Sequence, residues 1–255
     1  MIHSSPLSPF ICLLFYASLL SSGALAFIQS TEQQRSYHTH HHFVSFTSRK
    51  SNTNDDDSGN IRYLGSGEDA IIRPGVVLLA PKHEYDHFLM KAAVFVYAIG
   101  LDEEENTIVR AVVLDNPTAF TIGEMSPNVM GSLSDNILFR GGYDGSDTAL
   151  LLHSAGGTRG PVKSVNEIGS SGIYEGGIVS AMESVDAGII GTDQCKFFFN
   201  YMTFTEKELD NMFAGVEDGD AWVSLEIPTE YVLNSDYDRG QLWSRLRNSI
   251  REIRS

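Results

Sequence analysis

Cysteine is nearly absent from this chain, with two in 255 residues. Cys12 lies in an N-terminal leader, so a processed chain keeps Cys195 alone and cannot close an internal disulfide. Basic residues are scarce too: 18 against 33 acidic ones, a formal net charge of −15. Up to Asn60 there are only Arg35, Arg49 and Lys50 against Glu32, Asp55, Asp56 and Asp57, which leaves 15 basic and 29 acidic residues from Ile61 onward. A surface of that sign repels phosphate backbones and carries no basic stripe, which argues against direct nucleic-acid binding. Its plain consequence is solubility. There is no usable Asn-x-Ser/Thr acceptor either, since Asn116-Pro117-Thr118 is blocked by its proline. Lacking both disulfides and glycosylation sites, the chain is a weak candidate for an extracellular destination.

What is present begins with a leader. Phe10 to Leu20 (FICLLFYASLL) is apolar and uncharged, too short to span a bilayer comfortably but right for a signal-peptide core. Ala24-Leu25-Ala26 follows as a small-x-small cleavage pattern ahead of Phe27. Residues 27 to 53 are rich in Ser, Thr and His and hold a single acid, Glu32, which is transit-peptide composition. A signal peptide ending in Ala-Phe before such a stretch resembles the bipartite plastid leader of diatom-type algae. The expectation is a signal peptide over 1–26, a transit-like segment and linker over 27–60, and delivery to the plastid stroma. A membrane anchor and secretion are the alternatives. His38, His40, His41 and His42 fall in this leader and read as polar filler.

Downstream, a balance of 42% hydrophobic and 20% charged residues is that of an ordinary packed protein. Short apolar runs at 76–80, 92–101, 108–117 (stopped by Pro117), 148–154, 195–204 and 221–227 predict strands. Thr205-x-x-Glu208 is a capping box that starts a helix with Leu209, Met212 and Phe213 on one face. Leu242, Trp243, Leu246, Ile250 and Ile253 lie at helical spacing, with Arg245, Arg247, Arg251 and Arg254 towards the C-terminal end that favours cations. Strict βαβ alternation is missing. The pattern predicts one α+β domain over 70–255, with a mixed β-sheet flanked by helices.

Each candidate for chemistry is thin. His153-Ser154 pairs a base with a hydroxyl, but strand neighbours point to opposite faces and no Gly-x-Ser-x-Gly elbow surrounds the serine. The loop Gly156–Gly160 lacks the Gly-Lys-Ser/Thr ending of a nucleotide loop. Asp144, Gly145 and Asp147 suggest a calcium loop without its twelfth-position glutamate, and Asp218-Gly219-Asp220 reads as a turn. His83 and His87 flank Asp86 at spacings that suit no shared metal. Lys196 beside Cys195 would lower a thiol pKa, whereas a lone strand cysteine is more often simply buried. No metal site and no cofactor are expected.

The order of segments carries more than any one of them. PGVVLLAPKHEYDHF (74–88), AVVLDNP (111–117), FRGGY (139–143), Leu151 to Ser154, Phe197-Phe198 with Tyr201 and Glu208-Leu209, and Leu242-Trp243 together resemble the AlgH/YqgE-like family, over about residues 73 to 250. The departures are Ala98-Ile99 for the family's Glu-His, Asp115-Asn116 for Asn-Arg, Tyr143 for the proline of Gly-Gly-Pro, and Asn200 to Phe204 for Gly-Tyr-Ala-Gly-Trp. The resemblance implies an α+β fold and no established catalytic activity; bacterial members carry a transcriptional-regulator label.

These readings point to a non-enzymatic binding or regulatory protein of the plastid, whose partner is a protein or small ligand. Asp86, Asp115, Gly141, Gly142 and Tyr201 are the expected surface, as the positions nearest the retained motifs. An enzyme of hydrolase type using His153 or Cys195 is the first alternative, and a transcriptional regulator the second. With the leader removed, no membrane contact is expected.

Overall fold

Apolar runs bounded by glycine, proline and short polar turns become strands here, and the strands share one sheet. The computed structural model describes residues 61–215 and 220–254. The leader and residues Asp218-Gly219 lie outside them, as do the side chains of Ile253 and Arg254. The described chain holds β1 (Arg62–Ser66), β2 (Val77–Leu79), β3 (Ala93–Leu101), β4 (Thr107–Val113), β5 (Pro117–Thr121), β6 (Ile137–Arg140), β7 (Asp144–His153), β8 (Val165–Glu167), β9 (Tyr174–Gly176), β10 (Cys195–Thr205) and β11 (Val223–Glu226). Its α-helices are α1 (Ile122–Met125), α2 (Ile178–Asp186), α3 (Glu206–Ala214), α4 (Thr229–Leu233) and α5 (Gln241–Arg254). None of them is long and apolar enough to cross a membrane.

The sheet runs β1-β11-β2-β3-β4-β10-β7-β9-β8, with β5 and β6 attached beside β10. The described pairings are antiparallel except β6 with β10, so the sheet is mixed and the domain α+β, as expected. β1 pairs with β11, which puts the start of the fold before residue 70. The loop after β8 returns to the head of β2: a Cβ on Gly169 would lie 2.3 Å from the Pro74 carbonyl oxygen. The sheet therefore curls around its larger core.

β10 organises the centre. Along one edge it pairs first with β6, through Phe197 to Phe199, and then with β4, through Met202 to Thr205. Its other edge carries β7. The change of neighbour falls at Asn200, where the register shifts and φ is +59°. Strand alternation sends Phe198 and Met202 into the larger core, and Cys195 and Phe197 into a smaller one under α2. The chain must cross β10 to pass from β6 to β7, and Gly141-Gly142 makes that crossing. A Cβ on Gly142 would sit 2.0 Å from the Tyr201 carbonyl carbon and oxygen, so only glycine passes there.

Two expectations change. Pro117 does not end a strand; β4 stops at Val113 and Pro117 opens β5, which among the described residues pairs with β6 alone and so leaves the missing N–H on a free edge. Asp144, Gly145 and Asp147 are the opening of β7, and the Asp144 carboxylate accepts the Thr203 N–H at 2.7 Å. The capping box forms as read, with Thr205 and Glu208 exchanging bonds of 3.3 and 2.8 Å. The C-terminal pattern also holds: α5 buries Leu242, Trp243, Leu246 and Ile250, each contributing about 1.5–3 kcal/mol of apolar burial. Trp243 Nε1 donates to the Ala80 carbonyl at 2.7 Å, and Arg247 reaches the same oxygen, fixing α5 across the end of β2.

Candidate functional site

Beyond β4 the chain carries Asp115 into the interior, where it is 0% exposed and neither carboxylate oxygen has a hydrogen-bond partner among the described residues. Burial raises its pKa. The Arg239 guanidinium draws it back down, as do the N–H groups of Trp243 and Gly240 at the head of α5, which lie near the carboxylate without meeting hydrogen-bond geometry. Arg239 donates through Nη2 to the Phe88 and Met90 carbonyls, while its Nη1 is buried without a hydrogen-bond partner among the described residues. Lys196 is the third member, and strand alternation explains its place: it leaves β10 on the face opposite Cys195 and is 1% exposed. Its Nζ donates to the carbonyls of Val232 (3.2 Å) and Asn234 (2.5 Å) at the end of α4, and lies 4.1 Å from the Phe139 ring centroid. Burial pushes its pKa down to about 7 against the pull of Asp115. A buried carboxylate with two cations around it is costly to assemble, and removing one member strands the others.

From this cluster a chain of contacts leads to the surface. Two guanidiniums lie over the Phe88 ring, Arg239 at 5.7 Å and Arg140 at 5.4 Å, and the ring meets exposed Tyr143 edge-on at 5.7 Å. Asp86 caps the turn beneath, accepting the N–H groups of Phe88 (2.7 Å) and Leu89 (3.2 Å). Burial and the charge of Asp86 both raise the Tyr143 phenol. Past Tyr143 the backbone of Gly142 rests on Tyr201, whose ring touches Tyr97 at 6.0 Å and carries the Arg110 guanidinium at 5.7 Å. Arg110 Nε and Asn200 Oδ1 are buried there without partners among the described residues.

Of the five residues expected to form the surface, Gly141, Gly142 and Tyr201 do meet, and Asp86 sits beside the neighbouring Tyr143. The glycines serve the β10 crossing. Asp115 lies beneath, connected through Arg239 and Phe88. Lys196, Arg239 and Arg140 went unread as site residues. One signal was available for Lys196: a charged residue inside the aromatic run Cys195–Phe199 has to find a buried partner.

His153 and Cys195 face each other in register on β7 and β10, both fully buried. Burial pushes the imidazole down to about 4 and the thiol up to about 12, with Asp193 adding to the latter. Each is held in its neutral form, the reverse of an activated thiolate–imidazolium pair. Cys195 is the simply buried strand cysteine that the sequence favours, and Lys196 does not lower the thiol, because the two side chains leave opposite faces of β10. His153 accepts the Ala155 N–H at 3.1 Å and stacks on Tyr174. No group of three or more His, Cys, Asp or Glu is placed to hold a metal ion among the described residues.

Comparison with known proteins turns on the fold. No family model matches the sequence, and no curated protein matches it. The crystal structure of protein DIP2367 from Corynebacterium diphtheriae superposes over 69% of this chain and 86% of its own, with a TM-score of 0.50 and 12% identity. This chain has the fold of DIP2367. The solution structure of the AlgH protein from Pseudomonas aeruginosa is matched over 69% of this chain and 87% of its own, at 15% identity and a TM-score of 0.48. Identities this low speak for fold and carry no activity across.

Proposed function

We propose that this chain is a non-enzymatic binding or regulatory protein of the plastid interior, which acts by holding a protein or small ligand on the face formed by Asp86, Phe88, Arg140 and Tyr143. The observation that carries the reading is the pair of guanidiniums over the Phe88 ring beside an exposed tyrosine. Arginine and tyrosine dominate the energetics of recognition surfaces, and here they connect through Phe88 and Arg239 to the buried Asp115. The order of AlgH/YqgE-like motifs supports the same reading, since that family implies no established catalysis. The neutral, enclosed state of His153 and Cys195 lends nothing to a hydrolase. The acidic surface sets itself against a regulator that contacts DNA.

The test is recovery of partners from plastid extract by the full chain and by its Asp86→Ala, Arg140→Ala and Tyr143→Ala variants. Loss of the same bound species in the variants is expected, and unchanged recovery in all three would remove the surface. For the plastid itself, a fluorescent fusion of residues 1 to 60 is expected to enter the organelle; its appearance in the medium would favour secretion.

A further inference from the structure

A second polar site lies away from the Asp115 cluster, where β1, the head of β2, the 168–173 loop and α4 enclose a cleft of about 440 Å³. Arg62, Arg73, Gly75, Ser170, Ser171 and Thr229 line it, together with Glu226 and Glu230. Arg62 is the register partner of Glu226 across β1 and β11, and one arginine suffices to pin that edge. Arg73, arriving from another segment, bonds the same carboxylate. Burial and the nearby Arg62 charge both lower the Arg73 pKa, so the two cations repel each other across one shared anion. Glu226 and Glu230 balance the two arginines, so the lining is neutral overall, with both guanidiniums gathered at the Glu226 carboxylate.

The hydroxyls divide by what they already do. Ser171 Oγ donates to the Ile168 carbonyl and accepts the Ile173 N–H, so it serves its own loop. Ser170 and Thr229 make no side-chain hydrogen bond among the described residues and are available to a ligand. Gly75 at φ +92° and Gly169 at φ +59° allow the loop to close on the sheet, because a Cβ on either would press on the facing carbonyl.

We infer that this cleft binds a phosphate-bearing small molecule, with Arg62 and Arg73 holding the phosphate oxygens and Ser170 and Thr229 donating hydroxyls. Arginine forks and hydroxyl donors converging on a tetrahedral anion are the usual chemistry of phosphate recognition. The volume falls within the roughly 300–1,000 Å³ of small-ligand sites, which leaves room for an organic part beside the phosphate. Glu230, exposed on the rim, opposes the anion. Thr229, which opens α4, lines the cleft, and Lys196 holds carbonyls at the other end of that helix, so the wall of this site leans on the buried cluster.

Equilibrium dialysis of the full chain against labelled inorganic phosphate at fixed ionic strength tests this. Saturable uptake of one equivalent is expected, weakened about tenfold or more in Arg73→Gln by loss of a charge-assisted donor. Glu230→Gln, on the exposed rim where folding is not at stake, is expected to tighten it. Absence of saturable uptake would overturn the assignment, as would identical binding in both variants. Equal competition by acetate would overturn it too, since the cleft would then be a carboxylate site. None of these outcomes bears on the Tyr143 face.

Discussion

Lys196 concentrates the physics of this protein in one side chain. Its folded pKa of about 7 lies well below the ~10.4 of an exposed lysine. Between those values the unfolded chain binds more protons than the folded one, so this group makes stability rise with pH from about 7 upward, by at most ~1.4 kcal/mol per unit. Below about 7 both states hold the proton, the slope vanishes, and the folded state carries the full penalty of the buried charge. Asp115 acts with the opposite sign on the acid side: its raised pKa favours the folded state at low pH and loses that effect as the carboxyl ionises. Urea midpoints of the full chain between pH 6.5 and 8.5 are expected to climb, and Lys196→Met is expected to flatten the climb. A slope unchanged by the substitution would show that Lys196 does not titrate there.

At the scale of elements, two kinds of signal differ in how far they can be read. The capping box at Thr205 is local: the bonds run between residues three apart, so the sequence contains the whole device. Thr205→Ala is expected to cost about 1 kcal/mol, in denaturant unfolding. The glycine pair at 141–142 reads as a motif, yet its reason lies 59 residues away in the β10 backbone that it crosses. Gly142→Ala is expected to cost more than the cap, about 1–3 kcal/mol or above, because the added methyl meets a carbonyl that cannot move without breaking the bulge. If the two variants unfolded at the same denaturant concentration, the crossing would not be the tight point. The strands show the same division. Their apolar runs were legible at 76–80, 92–101 and 195–204, whereas β1 and β8 are short and half-exposed and carry no comparable run.

For the whole molecule, charge is the most transferable property. A net of −15 does not depend on how the chain folds, and it predicts how the protein meets polyanions. Duplex DNA is expected not to bind the full chain in a mobility shift at low salt, and binding that weakens steeply as salt rises would revive the regulator reading. The phosphate cleft is compatible with this, since two arginines can favour a small anion locally while the surrounding field turns a long polymer away.

Composition, period and turn chemistry are properties of neighbouring residues, and so the sequence alone determined the α+β class, the main strands, the α3 cap and the amphipathic face of α5. It also set the overall charge, the single downstream cysteine and the motif order that pointed to this fold. Tertiary structure decided the rest. It brought Asp115, Lys196 and Arg239 together from three separate segments, set Cys195 and Lys196 on opposite faces of one strand, and placed Arg62 and Arg73 on a single carboxylate. Such meetings depend on which strands pair and where the sheet curls, and side-chain charge acts through space whatever the separation along the chain.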